Sequence, residues 1–300
     1  MKVLISYFSG TGNTKRVADE YVKSLEALGA EVELYNIEKG GTPDFGGVEL
    51  FGIAYPIWAF NAPGIVLDFV KSLERRTAPL KTFIIKTSGE AMALNNASSD
   101  KLKSLLKKRR FDLSNEYHYL MPYNIIFRHT DGMANRMWNA VKATVPVDCA
   151  AITGEHRQVI KSIPFGRPIT AVLRIQRWGG RFNGKRYKVT DDCVHCDKCV
   201  RACPTGNIID ENGKIKFGKK CLMCMRCAFE CPRDAIRIGW FDGWRVNGEY
   251  PFDKPYEEGE NAVGTDKKHV NYCRKSYERY FAECEKKAES LASHEGQSEA

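Results

Sequence analysis

The sequence predicts an α/β chain: a doubly wound parallel sheet of five strands over residues 1–162, then a small α+β domain over 188–238. Three observations carry this expectation. Apolar β-rich runs alternate with helically spaced runs through the first part, the order expected of a parallel sheet covered on both faces. A Gly-Thr-Gly turn, Gly10-Thr11-Gly12, joins the first such strand to the first helix. Eight of the eleven cysteines lie between Cys193 and Cys231, in two matching copies.

Residues 2–8 read as the first strand. From Thr14, the positions Val17, Tyr21, Val22, Leu25 and Leu28 recur at helical spacing, and Gly29 ends the pattern. Further strands are expected over 31–37, 48–55, 82–87 and 117–121. Between them, Ile65, Val66, Phe69, Val70 and Leu73 mark one helix, and Leu102 to Leu106 lie in another. Two helical stretches follow, near 132–144 and 148–162. Residues 163–187 carry Pro164, Gly166, Pro168, Gly179, Gly180 and Gly184, which are expected to break any long element, and read as a basic linker. The extension 239–300 begins as an irregular wrap. It then holds one amphipathic helix, on which Val270, Cys273, Tyr277, Phe281, Cys284, Ala288 and Leu291 fall at three- and four-residue steps.

No apolar run approaches the roughly 18 residues of a membrane span. The opening apolar run is too short for a secretory leader and leads straight into the glycine turn, so a cytoplasmic location is expected. The net charge of +9 is unevenly placed: residues 151–190 carry nine Lys or Arg against a single acid, Glu155. Such a stretch suits an acidic protein, a membrane or nucleic acid, or is a solvated linker.

The first cysteine copy is Cys193-x2-Cys196-x2-Cys199-x3-Cys203-Pro204, and the second is Cys221-x2-Cys224-x2-Cys227-x3-Cys231-Pro232, at an offset of 28. This is the bacterial two-cluster spacing, in which the fourth cysteine of each run serves the other cluster. Crossed ligation groups Cys193, Cys196, Cys199 and Cys231 around one 4Fe–4S centre and Cys221, Cys224, Cys227 and Cys203 around the other. Zinc, the competing reading, rarely needs three equally spaced cysteines plus a fourth with proline, twice. The segment resembles bacterial two-cluster ferredoxins. His195 reads as a spacer, and Cys149, Cys273 and Cys284 as small hydrophobes.

The loop Ser9-Gly10-Thr11-Gly12-Asn13-Thr14 opens the first helix, where backbone N–H groups and the helix dipole suit a phosphate and the hydroxyls add donors. It lacks the Gly-Lys-Ser/Thr of a nucleotide-triphosphate loop. It is similar to the phosphate loop of flavodoxins, and the resemblance extends over about 160 residues. That family implies the strand order 2-1-3-4-5 and FMN beyond the carboxyl ends of the strands. It also implies two ring-binding loops, matched here by Tyr55-Pro56-Ile57-Trp58-Ala59-Phe60-Asn61 and by Thr87-Ser88-Gly89-Glu90. Trp58 is the expected stacking residue, with Phe60 and Tyr55 behind it.

Together the two halves resemble flavodoxin–ferredoxin fusion proteins. The resemblance implies FMN, two 4Fe–4S clusters and electron transfer to a redox protein partner, acidic if the basic stretch recruits it. The alternative is an FMN-dependent reductase of a small acceptor (a quinone, nitro compound or unsaturated ligand). There the 55–63 and 87–94 loops and Arg128-His129 would line the pocket, and His129 would donate the proton. Nucleic-acid binding through Arg167, Arg174, Arg177, Arg181, Lys185 and Arg186, interleaved with Trp178 and Phe182, is the least favoured reading.

Overall fold

A computed structural model describes residues 1–257 and 276–289. The first half contains β1 (Lys2–Tyr7), α1 (Asn13–Ala27), β2 (Glu31–Asn36), β3 (Leu50–Pro56), α2 (Gly64–Ser72), β4 (Leu80–Ser88), α3 (Asp100–Lys108), β5 (Phe111–Leu120) and α4 (Asp131–Thr153). The five strands form one parallel sheet in the order β2-β1-β3-β4-β5, the order expected from the resemblance. Along β1, Val3, Ile5 and Tyr7 enter the core on one face, while Leu4 enters the core on the other, continued by Phe8. This two-residue period is what lets one buried strand serve both layers. Val17, Tyr21 and Leu25 of α1 and Val141, Val145 and Cys149 of α4 cover the first face. Val66, Val70, Leu102 and Leu106 of α2 and α3 cover the second.

Two expectations change. The two helical stretches near 132–144 and 148–162 are one helix, α4, with Pro146 inside it. Proline removes one backbone donor, but Val141, Val145, Cys149 and Ile152 are all fully buried on the same helix, and that packing outweighs the break. Beyond α4 the chain is not helical: Gln158 exchanges backbone hydrogen bonds with Ser114 and Glu116 and so covers part of the β5 edge.

Second, the expected breakers in 163–187 do not keep that stretch from forming regular structure. It holds α5 (Gly166–Leu173) and α6 (Gln176–Gly184). The small residues that read as breakers let the helices approach the body. A Cβ at Gly166 would meet Ala97 at 2.6 Å, and one at Gly184 would meet the Cys221 Cβ.

The extension, expected to begin as an irregular wrap and then hold one amphipathic helix, gains only a short 3-10 element in its first part. A 3-10 turn over Gly239–Trp244 leads to a bridge between Ile125 and Arg245. Residues 276–289 are helical, with Tyr277, Phe281 and Cys284 buried on one face. Val270, Cys273 and Leu291 of the expected helix lie outside the described residues.

The small domain contains β6 (Lys188–Val189), α7 (Lys198–Arg201), the hairpin β7 (Ile208–Glu211) and β8 (Lys214–Phe217), α8 (Arg226–Phe229) and β9 (Ile236–Arg237). β6 pairs antiparallel with β9, closing the repeat on itself.

Candidate cofactor site

The cysteine runs fold as their spacing requires. In the first, His195 and Asp197 flank Cys196 with φ of 50° and 55°; in the second, Met223 and Met225 flank Cys224 with 54° and 64°. Left-handed residues on either side of the middle cysteine curl the loop round a common centre, and none of the four is glycine. The offset of 28 extends to hydrogen bonds on sulfur. The Asn207 N–H donates to Cys203 Sγ at 3.2 Å, and the Ala235 N–H to Cys231 Sγ at 3.3 Å.

The eight cysteines line two separate hollows. Cys193, Cys196, Cys199 and Cys231 face one, walled by Val189, Ile215 and Ile236. Cys203, Cys221, Cys224 and Cys227 face the other, walled by Tyr187, Ile208 and Phe217. Each set takes three cysteines from one run and the fourth from the other, the grouping that crossed ligation needs. Burial pushes the Cys199 thiol up to about 11 and the Cys224 thiol up to about 12. Burial alone thus disfavours a thiolate in either place, and a positive charge in the hollow would favour it.

At the carboxyl ends of the parallel strands lies a cavity of about 240 Å³. Ser9, Gly10, Thr11, Asn13 and Thr14 form one end of it. Gly12 shapes that loop without lining the cavity: its φ of 93° turns the chain into α1, whose first turn has no side-chain cap. The buried Ser9 hydroxyl also has no partner. Uncapped N–H groups and an orphaned hydroxyl converging on one cavity fit a phosphate.

The second wall is Pro56, Ile57, Trp58, Ala59 and Phe60. Trp58 and Asn61 exchange backbone hydrogen bonds across a two-residue turn in which Ala59 and Phe60 have φ of 39° and 59°. Two non-glycine residues held there are a local strain of the kind concentrated at ligand sites. Trp58 lines the cavity and meets the Phe8 ring edge-on at 5.4 Å. Asn61 does not line it; its amide donates to the Ala59 and Thr170 carbonyls and pins the turn to α5. Tyr55, expected as a reserve stacking residue, is fully buried in the core, because strand alternation turns it away from the cavity.

Thr87, Ser88, Gly89 and Glu90 form the third wall. The Ile57 N–H donates to the Thr87 carbonyl, and the Thr14 and Thr87 hydroxyls are 2.8 Å apart, so the three predicted loops are joined directly.

The loop after β5 was missed. Met121, Pro122, Tyr123, Asn124, Ile125 and Ile126 line the cavity, together with Gln176 and Met223. Asn13 donates to the Pro122 carbonyl at 2.7 Å and Asn124 to the Thr11 hydroxyl at 2.9 Å, closing the ring of loops. The signal was available: a segment leaving the carboxyl end of a parallel strand belongs to the ligand crevice.

Arg128 and His129 do not line the cavity. Arg128 donates to the carbonyls of Asn247, Gly248 and Glu249 and lies over the Tyr250 ring. His129 is 1% exposed. The Tyr123 N–H donates to its Nδ1 at 3.1 Å, so the neutral ring carries its proton on Nε2 and offers it to the Tyr277 hydroxyl at 2.8 Å. That hydroxyl donates to the Gly89 carbonyl at 2.7 Å. Burial lowers the His129 pKa to about 3. It is a neutral strut behind the third wall, linking the 276–289 helix to the cavity, and does not deliver protons.

The cavity and the second cysteine hollow share a wall. Met223 lines both. A Cβ on Gly10 would sit 2.6 Å from the Cys224 carbonyl oxygen. Arg226 fastens the contact: its guanidinium donates to the carbonyls of Ser9 (2.6 Å), Gly10 (2.8 Å) and Ala202 (2.8 Å) and pairs with Glu38.

Residues 185–232 match the family described as 4Fe-4S dicluster domain. Among solved structures, the flavodoxin of Megasphaera elsdenii is 21% identical over 39% of this chain and 85% of its own, with a TM-score of 0.35. The flavodoxin of Streptococcus pneumoniae TIGR4 is 18% identical over 40% and 84%, with a TM-score of 0.34. A flavodoxin from the domain Archaea is 10% identical over 51% and 100%, with a TM-score of 0.34. No curated protein matches the chain. The fold rests on the strand order and not on these likenesses. The chain joins a flavodoxin-like α/β fold, identified by its 2-1-3-4-5 sheet, to a 4Fe–4S dicluster domain.

Proposed function

We propose that this protein transfers electrons between FMN, bound in the strand-end cavity, and two 4Fe–4S clusters held by the two sets of four cysteines. The observation that carries the reading is the shared wall: the loop suited to a phosphate packs on the backbone of Cys224. FMN stores one or two electrons and each cluster passes one, so together they supply a junction between paired and single electrons.

Ser9, Thr11, Thr14 and the first N–H groups of α1 hold the phosphate. Trp58, Gly89 and the 121–126 loop bound the ring, and Asn13 and Asn124 keep these walls together. An aromatic face against the ring disfavours its most reduced, anionic form and lowers its last potential.

The cluster set containing Cys203, Cys221, Cys224 and Cys227 is the flavin's neighbour. The other set holds Cys196, which is exposed, and is the port for an external redox protein. Lys198 and Arg233 border that port, which suits an acidic partner and salt-sensitive association. Direct reduction of a small acceptor lacks its expected proton donor, since His129 is buried and fully engaged.

An anaerobic reductive titration, followed by visible absorption and EPR on protein assayed for iron, sulfide and flavin, tests the reading. One FMN and about eight irons per chain, reduced in successive steps, are expected. Zinc in place of iron, or no flavin after reconstitution, sinks it.

A further inference from the structure

The α5–α6 pair is built inside out. A surface helix ordinarily buries its large apolar stripe and exposes its polar face. Here the buried positions are small or polar: Gly166, Thr170, Gly180, Asn183 and Gly184. Gly180 faces Met223 and Gly184 faces Cys221, so small residues are needed where the helices meet the cluster loop. The large apolar side chains point the other way. Phe165, Ile169 and Val172 recur at i, i+4 and i+7, and Ile175, Trp178 and Phe182 at i, i+3 and i+7. All six are exposed, from 42% for Ile169 to 81% for Phe165. Trp240 and Trp244, on the 3-10 turn that packs against α6, are exposed as well.

The charges separate two kinds of partner. Among residues 163–187 there is no acid. Arg167 reaches back toward Asp100, Arg174 toward Asn61 and Arg177 toward Asp68, all on the protein body. These bases remain accessible beside the six exposed apolar side chains, so a partner here must cover apolar surface as well as meet positive charge, which an anionic lipid surface does and a purely acidic patch does not. Arg181 and Arg186 lie against the faces of Trp178 and Trp240, with Arg186 4.4 Å from its ring centroid. Exposed apolar and tryptophan side chains with arginines stacked beside the tryptophan rings are the composition of a helix lying in a membrane interface, where bases meet the headgroups.

We propose that the outer face of α5 and α6 docks this protein on an anionic lipid surface. Gln176 of α6 also lines the cavity, so the docked face adjoins the proposed flavin site. The inference does not depend on electron transfer, and its test needs no turnover.

The test is sedimentation of the cofactor-loaded full chain with vesicles of phosphatidylcholine, alone or with about 30% phosphatidylglycerol. Binding to the anionic vesicles is expected. It should weaken at least tenfold in the double variant Ile175→Glu/Trp178→Glu and several-fold in Arg181→Glu, and remain unchanged in Leu28→Glu, an exposed apolar site on the far end of α1. Tryptophan emission should shift to the blue on binding and be quenched by brominated acyl chains, an effect that Trp178→Phe reduces without altering the fold. No binding of the folded, loaded chain to anionic vesicles overturns the proposal. So does self-association, or capture by an acidic ferredoxin, that the double variant abolishes while vesicle binding is absent from the parent.

Discussion

The two cysteine runs share spacing, left-handed residues and hydrogen bonds to sulfur at one offset, yet their surroundings differ. In the first, Val194, His195, Cys196, Lys198 and Arg201 are exposed. In the second, no residue from Cys221 to Glu230 is exposed. The phosphate loop, α6 and Tyr187 enclose it. One motif therefore folds into an outer and an inner cysteine hollow, and the difference comes from what packs on each loop. Since burial and hydrogen bonding to sulfur set cluster potentials, identical ligand sets here are expected to hold different potentials.

Removing one proposed ligand from each run gives the largest test. Cys224→Ala and Cys196→Ala should each lose about half the iron, but only the inner variant should also weaken flavin binding, read by fluorescence quenching. Equal effects on the flavin would break the comparison. Arg226→Met comes next. It leaves Glu38, 14% exposed, without its partner and three carbonyls without a donor. A loss of about 2–3 kcal/mol is expected in denaturant unfolding. Glu38→Gln, which keeps a hydrogen-bond acceptor, should cost less.

Smaller substitutions probe the loops themselves. Met225 is 3% exposed, so Met225→Gly relieves a left-handed residue but loses about 2 kcal/mol of burial. His195→Gly relieves the same conformation at an exposed site and should be near neutral in thermal midpoint, within about 1 kcal/mol. Gly10→Ala must move backbone away from Cys224 and should cost about 1–3 kcal/mol and speed iron release to a chelator. Gly12→Ala meets nothing within 4 Å but has a φ of 93°. It should cost about 1–2 kcal/mol through strain and leave iron release unchanged.

The features legible in the sequence are those written in local spacing. Two cysteine runs at one offset define both hollows, and Ser9 to Thr14 after an apolar strand places the cavity. Residues brought in from a distance were not legible. Met223 reads as a spacer between cysteines, and only the docked sheet makes it a cavity wall. Arg226 reads as one more base, and its partner Glu38 is 188 residues away. Gly166, Gly180 and Gly184 read as breakers because glycine disfavours an isolated helix. In the fold a Cβ at Gly166 or Gly184 would collide with Ala97 or Cys221, and one at Gly180 would press on Met223, so lacking a side chain is what lets α5 and α6 approach. The same ambiguity hid the inverted apolar face, since hydrophobic periodicity does not say which side of a helix is inward.

The comparison extends to how the two sides of the cavity are held. The cluster side is clamped by Arg226, a guanidinium that keeps its charge across the working pH range. The third wall is braced by two imidazoles: His129, buried and neutral, and His118, half-buried, whose Nε2 lies 2.7 Å from the Ser88 hydroxyl. Burial lowers both to about 3, with the nearby Lys86 charge adding to the effect on His118. In the unfolded chain each titrates near 6.5, so between about pH 6.5 and 3 the unfolded state binds more protons. Their contribution is complete above pH 6.5 and is lost as the pH falls below it, by about 1.4 kcal/mol per unit for each histidine. Urea midpoints at pH 7 and 5.5 should therefore differ, and His129→Asn should remove about half of the difference. Flavin affinity should weaken over the same range while Arg226 keeps the cluster side in place. An unchanged urea midpoint would show that the imidazoles are not the neutral struts their hydrogen bonds describe.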